Sequence, residues 1–113
     1  MDLLREQKLV YLIERRFIEL VTIIMREKKL TQKRVSDIAF PDRKSPRSKF
    51  RQVVRKSRLG VPQRISFQDA YFLALSVDET PFGLYIRAHE DVRVALRNGG
   101  LSLDDVVLST KHK

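Results

Sequence analysis

Cysteine is absent from this 113-residue chain, which excludes disulfides, thiolate zinc sites and cysteine nucleophiles in one step and suits a reducing compartment. Histidine is nearly absent. His89 and His112 have no partners at ligand spacing and read as surface residues. No Ser-His-Asp order, phosphate loop or glycine fingerprint occurs, so the chain reads as no enzyme, with no cofactor and no metal. Asp104-Asp105 is the one carboxylate pair in an apolar setting, and it reads as helix N-terminal charge. Long apolar runs are missing as well: Leu20 to Met25, with Thr22 inside it, falls far short of the ~20 residues that a bilayer requires. Arg5, Glu6 and Lys8 interrupt the N-terminus before an apolar run forms, so no signal peptide is expected. These absences together predict a cytoplasmic protein with no membrane partner.

The most informative absence is local. Arg43 to Arg64 contains nine Lys and Arg and no Asp or Glu, in a chain with 23 basic and 14 acidic residues and a net charge of +9. Removing that stretch leaves 14 basic residues against 14 acidic ones. The whole excess therefore belongs to one local surface, and a polyanion is its natural partner. The rest of the composition, 42% apolar and 33% charged, is that of an ordinary folded protein, with length for one modest core.

Apolar periodicity predicts an all-α fold. Leu3 to Lys29 lacks Pro and Gly, and Val10, Ile13, Phe17, Leu20, Val21 and Ile24 form a helical stripe. Leu9, Leu12 and Ile23 fall off the stripe, so this helix either buries two sides or breaks near Glu14 to Arg16. Thr31 is the N-cap expected for a second helix, Gln32 to Ala39, with Val35, Ile38 and Ala39 inward and Phe40-Pro41 as its end. Ser45-Pro46 opens a third, about 46–57, as cap and first helical residue. Gly60 and Pro62 then lead to Ser66, which with Asp69 has the form of a capping box for a fourth helix carrying Phe67, Ala70, Tyr71, Leu73 and Ala74. Thr80-Pro81 repeats the start signal for a fifth, with Phe82, Leu84, Tyr85 and Ile86 as its apolar set. Val92 and Leu96 extend or restart that helix up to Asn98-Gly99-Gly100, and LSLDDVVLS reads as a short helix or an edge strand.

Helical phase divides the basic stretch. With Phe50, Val53, Val54 and Ser57 turned inward, Ser48, Gln52 and Arg55 face outward, flanked by Ser45, Lys49 and Lys56. A polar, basic face of this kind suits the major groove of DNA, where Gln can pair with adenine, Arg or Lys with guanine, and Ser with either. Arg47, Arg51, Arg58 and Arg64 lie to the sides or in the following loop, where phosphates would be met. The start of the Gln32 helix can offer its N–H groups to another phosphate.

The run LTQKRVSDIAF, the short helix after it, the Gly- and Pro-containing connection and SFQDAYFLALSVDETPFGLY together resemble the Cro and lambda-repressor-like (XRE-type) helix-turn-helix transcription factors, over roughly Phe17 to Ile86. The resemblance implies a compact five-helix domain over 1–88, with an extended N-terminal helix. Residues 32–39 would be the positioning helix and 46–57 the recognition helix. Residues 89–113 would be a C-terminal extension that oligomerises or binds a partner. It implies base reading by Ser48, Lys49 and Gln52, to which helical phase adds Arg55, and a backbone contact by Gln32. Charge and position add Lys33, Arg43, Lys44, Arg47, Arg51, Lys56, Arg58 and Arg64 as the expected phosphate binders. The turn from Phe40 to Lys44 is longer than the family's short glycine turn, and it sets how the recognition helix is aimed. The expected function is that of a dimeric, sequence-specific regulator on double-stranded DNA, of repressor type; the alternative is an antitoxin or adaptor whose C-terminal segment holds a protein partner.

Overall fold

Helix α1, Leu3–Lys28, runs without a break through the charged trio Glu14, Arg15 and Arg16. The computed structural model describes residues 2–42, 44–54 and 65–106, and among these all regular structure is helical. Asp2 caps the first turn of α1 by accepting the Arg5 N–H at 3.2 Å. The expected stripe is buried from Ile13 to Ile24, and Ile18 and Met25 join it. Leu9 and Leu12 pack against the same core. Of the two alternatives, burial on two sides is the one realised. No Gly follows α1, so Lys29 itself takes the left-handed conformation, with φ of 58°, that closes the helix.

Helix α2 is Gln32–Ala39, α3 is Pro46–Val54, α4 is Phe67–Ser76 and α5 is Pro81–Arg97. The expected caps are made at Thr31, which accepts from Arg34 N–H, and at Ser66, which accepts from Asp69 N–H. Thr80 precedes Pro81 as expected but makes no side-chain cap bond. α1 and α5 pack side by side and antiparallel, with Arg16 near Asp91 and Lys28 near Glu79. α2 lies between α3 and α4, and the core cluster draws on all five helices: Phe17 and Leu20 from α1, Val35 from α2, Phe50 from α3, Leu73 from α4 and Leu84 from α5.

Several expected inward positions are corrected. Ile38 is exposed, and Ser36 takes the buried place on α2, its hydroxyl returned to the Gln32 carbonyl. On α5 only Leu84 of the expected apolar set is buried; the inward face continues instead through Ala88 and Val92. Phe67 and Tyr71 on α4 are exposed too.

Helix α5 also crosses residue 88, where the sequence reading ends the DNA-binding unit. Ala88 and Val92 sit in the common core, and the Arg16 Nε donates to Asp91 Oδ2 at 2.9 Å. Burial alone would favour a neutral Arg16, but hydrogen bonds to Asp91 and Glu19 outweigh it and raise the pKa above the ordinary arginine value. A raised pKa stabilises the fold below the unfolded value and fades only above it, so this tie is indifferent to pH through the neutral range. Beyond α5, Leu103–Asp105 forms a 3-10 turn that packs on α1, with Ser102 accepting from Asp104 N–H at 3.2 Å, and Val106 is buried. Residues 89–106 thus close on the chain's own helices, while 107–113 lie outside the described residues. No helix among the described residues is long and apolar enough to cross a membrane.

Candidate nucleic-acid interface

The outward face of α3 is built by what its other face must bury. Phe50 and Val53 are buried and Val54 partly so, which leaves Arg47, Ser48, Arg51 and Gln52 exposed. Pro46 occupies the first helical position, and the Ser45 carbonyl accepts the Lys49 N–H at 3.2 Å. The Ser45 hydroxyl donates to Ser48 Oγ at 2.9 Å, so one expected base reader is held in place by the residue that opens the helix.

Lys49 is placed differently from the expectation. Its Nζ lies 3.4 Å from Asp69 Oδ2 on α4, and the two side chains are only 23% and 18% exposed. The phase of Lys49 puts it at the edge of the buried arc, where a long side chain can reach a neighbouring helix. Here it forms an ion pair between α3 and α4. Arg43, Arg55, Lys56, Arg58 and Arg64, the remaining basic residues of the stretch, lie outside the described residues.

The helix before it contributes the second part of the surface. Gln32, Lys33 and Arg34 are exposed in the first turn of α2, just after the Thr31 cap. Lys33 Nζ sits 2.8 Å from Asp37 Oδ2, so part of its charge is answered within the helix. Arg34, Lys44, Arg47 and Arg51 are exposed and have no carboxylate within ion-pair distance among the described residues. The longer turn does not separate the two helices. Phe40 is buried in the same core cluster as Phe50 and its N–H bonds the Ser36 carbonyl at 2.8 Å, so the connection is pinned at its start.

Sequence reasoning missed the group beneath the far end of α3. Arg15, 9% exposed, reaches from α1 to the Val54 carbonyl with a long Nη2 contact of 3.5 Å. Its Nη1 is buried with no hydrogen-bond partner among the described residues. The guanidinium thereby links α1 to Val54, the last described residue of α3. The sequence does not single it out, since Arg15 is one of three consecutive charges, Glu14, Arg15 and Arg16, between Ile13 and Phe17.

A second exposed surface lies on α4 and α5. Phe67, Phe82 and Ile86 are 69%, 63% and 67% exposed. The rings of Phe67, Tyr71 and Phe82 form a mutual cluster with centroids 6.1–6.4 Å apart. Beside them opens an apolar groove of about 360 Å3 whose walls include Phe17, Ile65, Ala70 and Tyr85.

Compared with known protein families, curated proteins and solved structures, the chain matches none.

Proposed function

We propose that this chain is a sequence-specific double-stranded DNA-binding regulator, acting in the cytoplasm and without enzymatic activity, with α3 entering the major groove. The observation that carries this reading is the outward face of α3: Arg47, Ser48, Arg51 and Gln52 stand exposed on a helix whose back is fixed by Phe50 and Val53. Ser48 and Gln52 are the base readers. Arg47, Arg51, Lys44 and Arg34, free of carboxylate partners among the described residues, bind phosphates and set the register, and Gln32 offers the start of α2 to the backbone. The arrangement is in keeping with the likeness of the sequence to the Cro and lambda-repressor-like regulators, and a repressor is the form of regulation it favours.

The active species in this reading is a homodimer. The α4–α5 face carries protruding Phe67, Phe82 and Ile86 beside an apolar groove, and a two-fold contact requires one patch to supply both knob and hole. Two recognition helices would then read half-sites ~34–36 Å apart. Selection of bound duplexes from a random pool tests the reading, and a palindromic motif is the expected product. Binding to that motif should weaken with salt, with a logarithmic slope of about −0.9 per phosphate contact. Recovery of no preferred sequence, or salt-indifferent affinity, would overturn it. Sedimentation equilibrium tests the dimer: Phe82→Glu should give folded monomers, and a monomeric wild-type chain would remove the proposal.

A further inference from the structure

A second set of cations lies away from α3, in the cleft between the first turns of α1 and the last turns of α5. Arg5, His89, Arg93 and Arg97 line it, with Leu9 and Leu96 between them, and its volume is about 310 Å3. On α5, His89, Arg93 and Arg97 follow one another at intervals of four, about 6 Å apart along the axis, and so form a single stripe. The antiparallel course of α1 brings Arg5 to face that stripe.

The charges in this cleft are poorly accounted for by the fold. None of the three arginines makes an ion pair among the described residues, whereas Arg16 and Lys28 on α1 pair with Asp91 and Glu79. Asp2 and Asp104 border Arg5, but on its other side, in a separate cleft with Lys8. Like charges at i and i+4 destabilise a helix. The dipole at the C-terminal end of α5 welcomes Arg97, yet Arg5 stands in the first turn of α1, at the positive end where a cation is disfavoured. An anion held between the helices would remove the repulsion on both sides.

We propose that this cleft is a phosphate-binding site, in which a phosphoryl group is taken by the guanidinium groups of Arg5, Arg93 and Arg97 with His89 at its edge. Planar, forked N–H donors suit a tetrahedral dianion, and three guanidinium groups match its several acceptor oxygens. The phosphoryl group has two possible sources, a free phosphate compound or a nucleic-acid backbone. Only the second source rests on the DNA-binding reading.

The test is a titration of the full chain with inorganic phosphate at constant ionic strength, followed by backbone amide and arginine Nε resonances. Saturable shifts are expected at Arg5, Arg93 and Arg97. In the Arg93→Gln/Arg97→Gln variant the affinity should fall by about tenfold or more, since two charge-assisted contacts are lost. Both side chains are exposed, and an unchanged far-ultraviolet circular dichroism spectrum verifies that the variant is folded. In Arg47→Gln/Arg51→Gln, with its changes on α3, phosphate binding at the cleft should persist. The same variants are then titrated against duplex DNA. Loss of phosphate binding with duplex affinity retained assigns a free phosphate compound. A shallower salt dependence of duplex binding, by about 0.9 per lost contact, assigns the backbone. Shifts that do not saturate, or that weaken equally in the two variants, would show an ion atmosphere and overturn the site. Because the phosphate titration needs no DNA, failure of the duplex reading leaves its result intact.

Discussion

The α1–α5 pair and the α2–α3 pair place their ion pairs differently. Along α1 and α5 the ion pairs join segments far apart in the chain: Arg16 binds Asp91 as well as Glu19, and Lys28 donates to the Val77 carbonyl at 2.6 Å and to Glu79 at 3.3 Å. On α2 and α3, Lys33 and Lys49 have carboxylates, while Arg34, Lys44, Arg47 and Arg51 have none among the described residues. A cation answered within its own chain assembles the fold; one left unanswered on an exposed face is available to something outside it. Arg5, Arg93 and Arg97, at the open end of α1–α5, likewise have no carboxylate within ion-pair distance among the described residues.

Variants on the two pairs separate the cations that hold the fold from those left for a partner. Phe50→Ala should have the largest effect: it removes the buried anchor of the α2–α3 pair and should cost about 3–5 kcal/mol in denaturant unfolding, much of the stability of a small domain. A loss below 1 kcal/mol would mean that α3 is not held by its back. Gln52→Ala should leave stability unchanged and cost about 1–3 kcal/mol of binding on the selected duplex, whereas Arg51→Ala should weaken all duplexes alike. Equal losses on every sequence for both would remove the division between readers and phosphate binders. Lys49→Gln should cost about 1 kcal/mol of stability by leaving Asp69 unanswered in a partly buried place. If stability were untouched and base preference shifted, Lys49 would return to the reading face. Asp91→Asn should have the smallest effect, about 0.2–1 kcal/mol by thermal unfolding with duplex affinity unaffected, since the pair is a third exposed.

Much of the architecture was legible from residue order. The stripe from Ile13 to Ile24, the caps at Thr31 and Ser66, and the Pro46 and Pro81 helix starts all depend on interactions within a few residues. Such contacts are fixed by spacing alone. The inward back of α3 was legible for the same reason, because Phe50 and Val53 lie one turn apart with polar residues between. What spacing could not show was which apolar residues the fold would leave uncovered. Phe67, Tyr71, Phe82 and Ile86 satisfy helical periodicity as well as Leu73 and Leu84 do, but no further helix among the described residues covers that side of α4 and α5. Nor could it show that α5 would run past Ala88, since Val92 needs α1 opposite it to count as a core residue.

Charge pairing is where the sequence alone stops. It determined an all-helical chain, the local excess of cations from Arg43 to Arg64, and the helix on which part of that excess is carried. Only the tertiary structure decided that Lys49 turns to Asp69, that Arg15 links α1 to Val54, and that Arg5 meets Arg93 and Arg97 across a cleft. The reason is geometric. Secondary structure follows from neighbours in the chain, whereas the partner of a long charged side chain is whichever group another helix brings within about 4 Å, where the interaction acquires its strength.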